Sequence, residues 1–369
     1  MTQYETMYEQ KKMTAEQALQ LIQDHDYMFS AQASGEPVAI LDKLQYLKET
    51  GVKDTIINTC LPLKDYPWLH DQEMKGTMFH NGWFFCGPLR QSQKEKLTSA
   101  VPQRSTTILR HTLDRIRYEG RRPVVLATVS PMDKNGYMTL SVSAIYERDL
   151  INAGALTIVE VNPNFPRTFG DTLVHISEVA AVVESDRPIP CAKLAPYTET
   201  DAAIGRYIAE LIEDGSTIQL GIGNIPNAVA NELKAKKHLG IHTEMFTETM
   251  VDLIECGAVD NSQKGFMNGY SVCSFTMGSQ RLYDFINNNP SVLFKSSTFS
   301  NDPYTIGRNN KFVSINASLE IDLTGQCASE TVGNLQWSGT GGQSETVQGA
   351  QLSPGGKSII AMHSTYTTK

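Results

Sequence analysis

The sequence lacks the features that mark disulfide-rich, zinc-binding and membrane-spanning proteins. Its six cysteines lie singly along 369 residues without a CxxC pair, and its eight histidines form no HExxH motif. This argues for free thiols in a reducing cytoplasm and gives no reason to expect a metal ion. No apolar run approaches the length of a membrane span, and the polar first residues do not resemble a signal peptide. We therefore expect a cytoplasmic protein without a membrane partner.

The charge balance argues against a nucleic-acid partner. The net charge is −8 at pH 7, and the most basic stretch, Arg110–Arg122, also carries acidic residues. Such a stretch is typical of a solvated helix face rather than of a surface that binds a phosphate backbone. An acidic protein can still bind a phosphorylated small molecule through backbone N–H groups and a few local cations.

The length and the hydrophobic pattern predict two α/β domains. A chain of 369 residues with 40% hydrophobic content is too long for one ordinary core. Helical patterns alternate with short apolar runs, as in Pro123–Ala144 and Ser216–Leu233, which predicts βαβ units and mainly parallel sheets. The proline-rich stretch Glu184–Thr200 is interpreted as a linker. We expect two open, mainly parallel-sheet domains, residues 1–190 and 191–369.

The most informative local pattern is a strand that ends in glycines just before a helix. Gly221 and Gly223 permit a sharp turn and bring backbone N–H groups towards an anion at the helix N-terminus. Asn224 is expected to cap that helix. The pattern approaches the dinucleotide fingerprint GxGxxG, but Pro226 occupies its third position. A dinucleotide-dependent oxidoreductase is therefore a distant alternative.

Glu244 follows the next apolar run, in His242-Thr243-Glu244-Met245. Consecutive parallel strands end at one edge of a sheet, so Glu244 and the glycine loop are expected to share the edge where α/β proteins bind ligands. Two interpretations remain open from the pattern. Glu244 is either a catalytic carboxylate or the cap of a helix that begins at Met245. His242 is expected to be a hydrogen-bonded neighbour rather than a base.

A second glycine cluster lies in Trp337–Thr365. Its GGKS motif resembles the end of a P-loop, but the required earlier glycine is Gln351, and a strand pattern follows, so we reject a P-loop. Gly341 and Gly342 are interpreted as a loop that closes over a substrate and supplies oxyanion donors, with a surface turn as the alternative. The chain contains no GxSxG motif, which leaves a carboxylate as the candidate nucleophile.

Many separate segments, in order, resemble the acetyl-CoA hydrolase/transferase family, and most closely its 4-hydroxybutyrate and butyryl-CoA:acetate CoA-transferases. The resemblance covers nearly the whole chain, and the order and spacing of its motifs make it specific. The segments are VSPMDKNGYMTLSVS, VEVNPNFPRTFGDTLVHISE, LIEDGSTIQLGIGNIPNAV, KKHLGIHTEMFTETMVDL, GSQRLYDFINNNP, VSINASLEIDLTGQ, SGTGGQ and GGKSIIAMHST.

The resemblance implies two α/β CoA-transferase domains and a catalytic glutamate, which matches Glu244. It also implies a set of CoA-binding residues. These are Gln219, Leu220, Gly221, Ile222, Gly223, Leu319, Gly342 and the terminal Lys369. Members of the family continue past the position of Lys369, so this chain is expected to have lost a tail or to be a fragment.

The expected reaction is ping-pong transfer of CoA from a short-chain acyl-CoA to acetate, through a glutamyl-CoA thioester on Glu244. Acyl-CoA and acetate are the expected partners, with no permanently bound cofactor, and a homo-oligomer fits such enzymes. Butyryl-CoA is favoured, because the sequence identifies no buried polar group for a hydroxyl. The alternatives are a 4-hydroxybutyrate CoA-transferase, an acyl-CoA hydrolase with the same glutamate, and a non-enzymatic CoA-binding protein. Trp83, Phe84 and Phe85 either wall the acyl pocket or belong to the core.

Overall fold

Helices and short strands alternate along the chain in the computed structural model, which describes residues 1–192 and 196–365. The helices are α1 (Gln3–Lys11), α2 (Ala15–Leu19), α3 (Val38–Leu41), α4 (Leu47–Thr50), α5 (Gly87–Lys94), α6 (Ile108–Glu119), α7 (Glu147–Asn152), α8 (Glu199–Glu210), α9 (Asn224–Glu232), α10 (Glu248–Glu255), α11 (Gln280–Ile286), α12 (Ser297–Ser300), α13 (Pro303–Ile306) and α14 (Gln343–Leu352). The strands are β1 (Tyr27–Ser30), β2 (Thr55–Cys60), β3 (Met78–Phe84), β4 (Thr98–Ala100), β5 (Pro123–Val129), β6 (Tyr137–Thr139), β7 (Leu156–Val161), β8 (Phe169–Gly170), β9 (Leu173–His175), β10 (Ala181–Glu184), β11 (Thr217–Leu220), β12 (Gly240–Ile241), β13 (Met245–Phe246), β14 (Ser271–Cys273), β15 (Phe275–Thr276), β16 (Val292–Phe294), β17 (Phe312–Ala317), β18 (Glu320–Ile321), β19 (Cys327–Ala328), β20 (Thr331–Val332), β21 (Leu335–Gln336) and β22 (Lys357–Ala361).

The first half of the chain forms a seven-stranded sheet in the order β10-β7-β5-β1-β2-β3-β4. Every neighbouring pair in it is parallel. A parallel sheet covered on both faces has strands that are mostly apolar and buried on both sides, and in β5 residues 124–129 are all buried, with Thr128 the one polar residue among them. The carboxyl ends of the central strands β1 and β2 therefore meet at one edge.

The second half forms two parallel sheets, β12-β11-β17-β22 and β14-β16-β8. A bridge between His242 and Val272 joins their edges. After β12, the Thr243 N–H donates to the Val272 carbonyl (2.9 Å), so the chain passes from the first sheet to the second. The prediction of an α/β fold with open, mostly parallel sheets is confirmed.

The two halves are joined by strand pairing as well as by the chain. Residues 169–170 of β8 pair with β16 in the second half. Gly170 has a φ of 111°, and a Cβ there would stand 2.1 Å from the Phe294 carbonyl oxygen, so this close approach requires glycine. The division at residues 190 and 191 stays a prediction. The described residues between the end of β10 at Glu184 and the start of α8 at Glu199 belong to no helix or strand, and their role as a linker between domains stays a prediction.

Two local predictions are wrong. Met245 and Phe246 form strand β13 and not the start of a helix, because they pair with Phe275 and Thr276; helix α10 begins only at Glu248. Asn224 is the first residue of α9 and not its cap; Gly223 occupies the cap position with a φ of 123°. The first correction removes the interpretation of Glu244 as the cap of a helix starting at Met245. No helix in the described part of the chain is long and apolar enough to cross a bilayer.

Candidate active site

A cavity of about 230 Å³ lies where the carboxyl ends of the parallel strands from both halves face each other. The first half contributes Gln32 after β1, the carboxyl ends of β2 and β3, and the segment before α6. The second half contributes the ends of β11 and β17, Glu244 and the loop before α14. The lining residues used below are Gln32, Cys60, Leu61, Trp83, Phe84, Gln103, Ser105, Ile108, Ile145, Tyr146, Gln219, Leu220, Gly221, Ile222, Glu244, Met245, Phe275, Gly341 and Gly342.

Backbone hydrogen bonds fix Glu244 in the short segment between strands β12 and β13. The carbonyl of Glu244 accepts two hydrogen bonds, from the N–H groups of Ser274 (2.9 Å) and Phe275 (3.1 Å). Both neighbours of Glu244 are also paired, Thr243 with Val272 and Met245 with Phe275. A residue held on both sides by strand pairing has little freedom to move its Cα, so the carboxylate is presented to the cavity from a rigid position.

Three neutral donors hold the half-buried Glu244 carboxylate. The Asn301 amide donates to Oε1 (2.9 Å) and the Ser105 hydroxyl donates to the same oxygen (3.2 Å). The Gly342 N–H donates to Oε2 (2.9 Å). Within the described ranges, no lysine, arginine or histidine forms an ion pair with Glu244. The carboxylate is therefore oriented without being neutralised, which leaves its electron pairs available for attack on an electrophile.

The environment shifts the pKa of Glu244 in a definite direction. Burial raises the pKa above its usual range, because it penalises the charged form; the hydrogen bond from Asn301 opposes this rise and the nearby Glu345 carboxylate adds to it. Glu345 is fully buried at the start of α14, 3.9 Å from the Arg104 side chain. A raised pKa in a cavity, with named causes, is typical of a functional carboxylate.

Most of the predicted site residues line the cavity. Gln219, Leu220, Gly221, Ile222, Gly341 and Gly342 do so together with Glu244. Gly223 lies one residue further on, at the cap of α9, and Leu319 lies outside the lining, in the segment that leads into β18. Lys369 falls outside the described residues. The assignment of all these residues to CoA contact stays a prediction.

The two candidate sources of oxyanion donors differ. The Gly221 N–H already donates to the Ile315 carbonyl (3.0 Å) within the sheet, so it is not free for a ligand. The Gly342 N–H, in contrast, points at the Glu244 carboxylate. The GTGGQ loop thus supplies one backbone donor directly at the reacting group.

Ser105, Asn301 and Glu345 were missed by the sequence analysis. Ser105 lies in an irregular segment, Asn301 follows the four-residue helix α12, and Glu345 looks like an ordinary helical acid. No local pattern marks them. His242 is buried; its Nε2 lies 2.7 Å from the Ser300 carbonyl oxygen, and burial lowers its pKa to about 3. It is a hydrogen-bonded neighbour, as expected.

The three aromatic residues Trp83, Phe84 and Phe85 were predicted either to wall the acyl pocket or to belong to the core, and the structure shows both positions. Trp83 and Phe84 line the cavity, whereas Phe85 is 1% exposed and packs in the core beneath the first sheet. Trp83 also contacts Tyr146 edge to face, with 5.3 Å between the ring centroids. One end of the cavity is therefore walled by rigid aromatic side chains.

Comparison with known proteins assigns the family. The N-terminal domain profile of the acetyl-CoA hydrolase/transferase family matches residues 1–192, and its C-terminal domain profile matches residues 278–369. The succinyl-CoA:cyclohexane-1-carboxylate CoA transferase of Geobacter metallireducens is 39% identical over 364 residues, which cover 98% of this chain and 81% of that protein. The 4-hydroxybutyrate coenzyme A transferase of Clostridium kluyveri is 38% identical over 366 residues, covering 98% and 83%.

A solved structure shows the same fold over the same extent. The crystal structure of RipA from Yersinia pestis superposes with a TM-score of 0.90 at 32% identity, covering 99% of this chain and 84% of that one. The similarity in sequence and in structure runs through both halves and includes the segment between β12 and β13 that contains Glu244. The protein belongs to the acetyl-CoA hydrolase/transferase family.

Proposed function

We propose that the protein is a CoA-transferase that moves CoA from a short-chain acyl-CoA to a carboxylic acid, with Glu244 as the nucleophile. The observation that carries the proposal is a carboxylate fixed at the cavity floor by three neutral donors. The relatives named above are CoA transferases with different acyl groups in their names, so similarity does not select the acyl group. Acetate as acceptor and butyryl-CoA as donor are part of the proposal.

The reaction needs no acid or base. A Glu244 oxygen attacks the thioester carbonyl, the carbon–sulfur bond breaks, and an acyl-glutamyl anhydride and CoA thiolate result. The thiolate attacks the glutamyl carbonyl carbon and releases the first carboxylic acid as its carboxylate, leaving a glutamyl-CoA thioester. The acceptor carboxylate reverses the two steps. Covalent catalysis divides one difficult exchange into easier ones.

The GTGGQ loop stabilises the charge that develops in these steps. The Gly342 N–H contacts Oε2 of Glu244 in the resting state, and it can stay on that oxygen when the glutamyl carbonyl becomes tetrahedral. A single such donor contributes roughly 3 kcal/mol to the transition state. The Ser105 hydroxyl lies 3.2 Å from Oε1 of Glu244 and 3.1 Å from the Gly341 carbonyl oxygen. Its single hydrogen can be donated to either acceptor, so this group lies between the loop and the nucleophile.

An acyl-CoA hydrolase remains the second candidate, because water can resolve the same glutamyl-CoA thioester. The loop before α14 covers the cavity and packs on the first half; Gly339 lies so close to the Trp83 carbonyl that a Cβ would stand 2.3 Å from its oxygen. A covered cavity favours exchange over hydrolysis, since water is excluded from the thioester. Release of free CoA in the absence of an acceptor acid would identify the hydrolase.

Intact-mass measurement tests the proposal directly. After incubation with butyryl-CoA and no acceptor, we expect the protein to gain the mass of CoA less one water, and peptide mapping to place the addition on Glu244. Addition of acetate should remove the adduct and form acetyl-CoA. An unmodified Glu244 in a protein that still exchanges CoA would contradict the mechanism.

The pH dependence of kcat/KM should reflect the raised pKa of Glu244. The ionised carboxylate is the attacking form, so activity is present above this pKa and is lost as the pH falls through it. We therefore expect an acid limb above the pH at which an ordinary glutamate titrates, about 4.3. The measurement is kcat/KM for the acyl-CoA at a saturating concentration of the acceptor acid, followed from about pH 4 to about pH 9.

Two substitutions should move that limb in opposite directions. Asn301→Ala removes the hydrogen bond that lowers the pKa of Glu244, so the limb should move to higher pH. Glu345→Gln removes the carboxylate that raises this pKa, so the limb should move to lower pH. A general loosening of the site would shift both profiles in the same direction, and that outcome would contradict the assignment of these two contacts.

A further inference from the structure

The segment that leads from β17 to the GTGGQ glycines covers the cavity without belonging to a core. Residues 318–340, here called the strap, carry the two short hairpins β18–β19 and β20–β21. None of residues 317–341 is buried, yet Ser329, Ser338, Gly339 and Thr340 line the cavity beside Glu244. A segment with so little buried surface opens at a small cost in free energy. Specific contacts must therefore keep the strap over the cavity.

Arg90 contacts the strap from the first half of the chain. It lies on α5, just after β3. Its Nε donates to the Trp337 carbonyl (2.8 Å), and its guanidinium lies over the Trp337 ring, 3.8 Å from the ring centroid. An arginine stacks well on aromatic faces, and tryptophan is the strongest partner in such cation–π contacts. Among the described residues no carboxylate forms an ion pair with Arg90, so its charge is directed to this contact.

The position of this contact suits it to hold the strap without touching a substrate. Neither Arg90 nor Trp337 lines the cavity, and Trp337 is 40% exposed. Three residues further along the strap, the Thr340 hydroxyl donates to the Gln103 carbonyl. The strap is thus attached to the first half at two points, one outside the cavity and one at its wall.

The state of the strap matters for one step of the proposed reaction. The glutamyl-CoA thioester must wait for an acceptor acid, and water can attack it in the meantime. In that attack the water oxygen bonds to the glutamyl carbonyl carbon, and CoA leaves with the electron pair of the carbon–sulfur bond. One proton of the water goes to the sulfur and the other to solvent. This loss grows with the time the strap is open, whereas an acid that has entered reacts after the strap has closed.

We propose that Arg90 is a positioning residue that holds the strap closed through Trp337 and thereby directs the glutamyl-CoA thioester to an acid instead of to water. The inference rests on the proposed CoA-transferase function and adds the contact that keeps this activity from becoming hydrolysis. The contact is reversible, because it consists of one hydrogen bond and one stacking interaction near the surface. It opens to admit and release acids and re-forms between these events.

Two initial rates measure how the protein divides the thioester between acid and water. The first is acetyl-CoA formation from butyryl-CoA at a saturating concentration of acetate. The second is release of free CoA from butyryl-CoA without an acid. In Arg90→Ala we expect the ratio of the second rate to the first to rise roughly tenfold, as loss of a stacking contact and a charged hydrogen bond allows. Acetyl-CoA formation itself should stay close to the wild-type rate, because Arg90 does not line the cavity.

Substitutions of Trp337 test the other side of the same contact. Trp337→Ala removes the ring and keeps the carbonyl that accepts from Arg90, so the ratio should rise by a smaller factor, roughly threefold. Trp337→Phe keeps an aromatic face and should stay near the wild-type ratio. The double variant of Arg90→Ala and Trp337→Ala should give no larger ratio than Arg90→Ala alone, because both changes remove one contact.

Arg117→Ala is the matched control for the loss of an arginine. The Arg117 side chain is 72% exposed and pairs with Asp114 within α6, so both rates and their ratio should stay at the wild-type values. A merely structural role for Arg90 would lower acetyl-CoA formation and CoA release together, and would leave their ratio unchanged.

The outcomes distinguish the inference from the function on which it rests. An unchanged ratio in both Arg90→Ala and Trp337→Ala overturns the inference, and so does a double variant whose increase is the product of the two single increases. A wild-type protein that releases CoA without an acid as fast as it forms acetyl-CoA also overturns it, since the strap then does not exclude water. Absence of exchange, together with absence of a CoA adduct on Glu244, overturns the proposed function and the inference with it.

Discussion

Glu244→Ala is expected to lower CoA exchange by at least roughly 10⁴-fold, because it removes the proposed nucleophile. The nearby Glu345 carboxylate is fully buried and does not line the cavity, so it cannot take over this role. Ser105 and Asn301 donate to this carboxylate, and neither is a carboxylate that could carry CoA. The measurement is acetyl-CoA formation together with the intact mass after incubation with acyl-CoA. We expect no CoA adduct.

Two control substitutions accompany Glu244→Ala: one tests for a general effect of losing a glutamate, and the other tests the position of the carboxylate. Glu210→Ala changes an exposed glutamate at the end of α8 and should leave exchange unchanged. Glu244→Asp keeps the charge but withdraws the carboxylate by one methylene, and a misplacement of about 1 Å should cost roughly 100-fold. Substantial exchange in Glu244→Ala, with its adduct elsewhere, would disprove the assignment of the nucleophile.

Gly342→Ala is expected to give the second largest loss, roughly 100-fold or more in kcat/KM, although it adds one methyl group. A Cβ at this position would stand 2.6 Å from Nδ2 of Asn301 and 2.9 Å from Oε2 of Glu244. Its φ is −94°, so alanine brings no backbone strain. The whole effect should therefore come from displacement of the carboxylate and its donor.

Gly341→Ala is the comparison for Gly342→Ala, because alanine at position 341 would cause backbone strain without displacing Glu244. Its φ of 50° is unfavourable for alanine, but a Cβ would meet Phe84 at 3.5 Å and Glu244 at 3.7 Å, which are ordinary contacts. We expect a loss of stability of roughly 1 kcal/mol, seen as a lower Tm, with a smaller kinetic effect than at Gly342. Equal kinetic losses with equal losses of stability would show that the loop acts only through folding.

The sequence predicted the second half of the site better than the first. Gly221 and Glu244 each follow an apolar run within a few residues of the chain, and parallel pairing of β11 and β12 brings their ends to one edge. Helix boundaries were less certain. Met245 and Phe246 begin a segment whose pattern predicts a helix, but in the structure they pair as a strand with Phe275 and Thr276. These partners lie 30 residues away, and the local sequence does not indicate them.

The donors to Glu244 could not be predicted because they are brought together only by folding. Asn301 lies 57 residues from Glu244 in sequence and Ser105 lies 139 residues away, in the other half of the chain. The same is true of Gln32, which follows β1 and reaches the cavity because β1 is central in its sheet.

Periodicity, glycine placement and the order of motifs determined the α/β fold, the family and the candidate nucleophile, because each depends on residues that are close in sequence. The tertiary structure alone decided the hydrogen bonds to Glu244, the direction of its pKa shift and which side chains line the cavity beside it. Burial and electrostatics depend on which segments, distant in sequence, come into contact on folding, and local sequence patterns do not show those contacts.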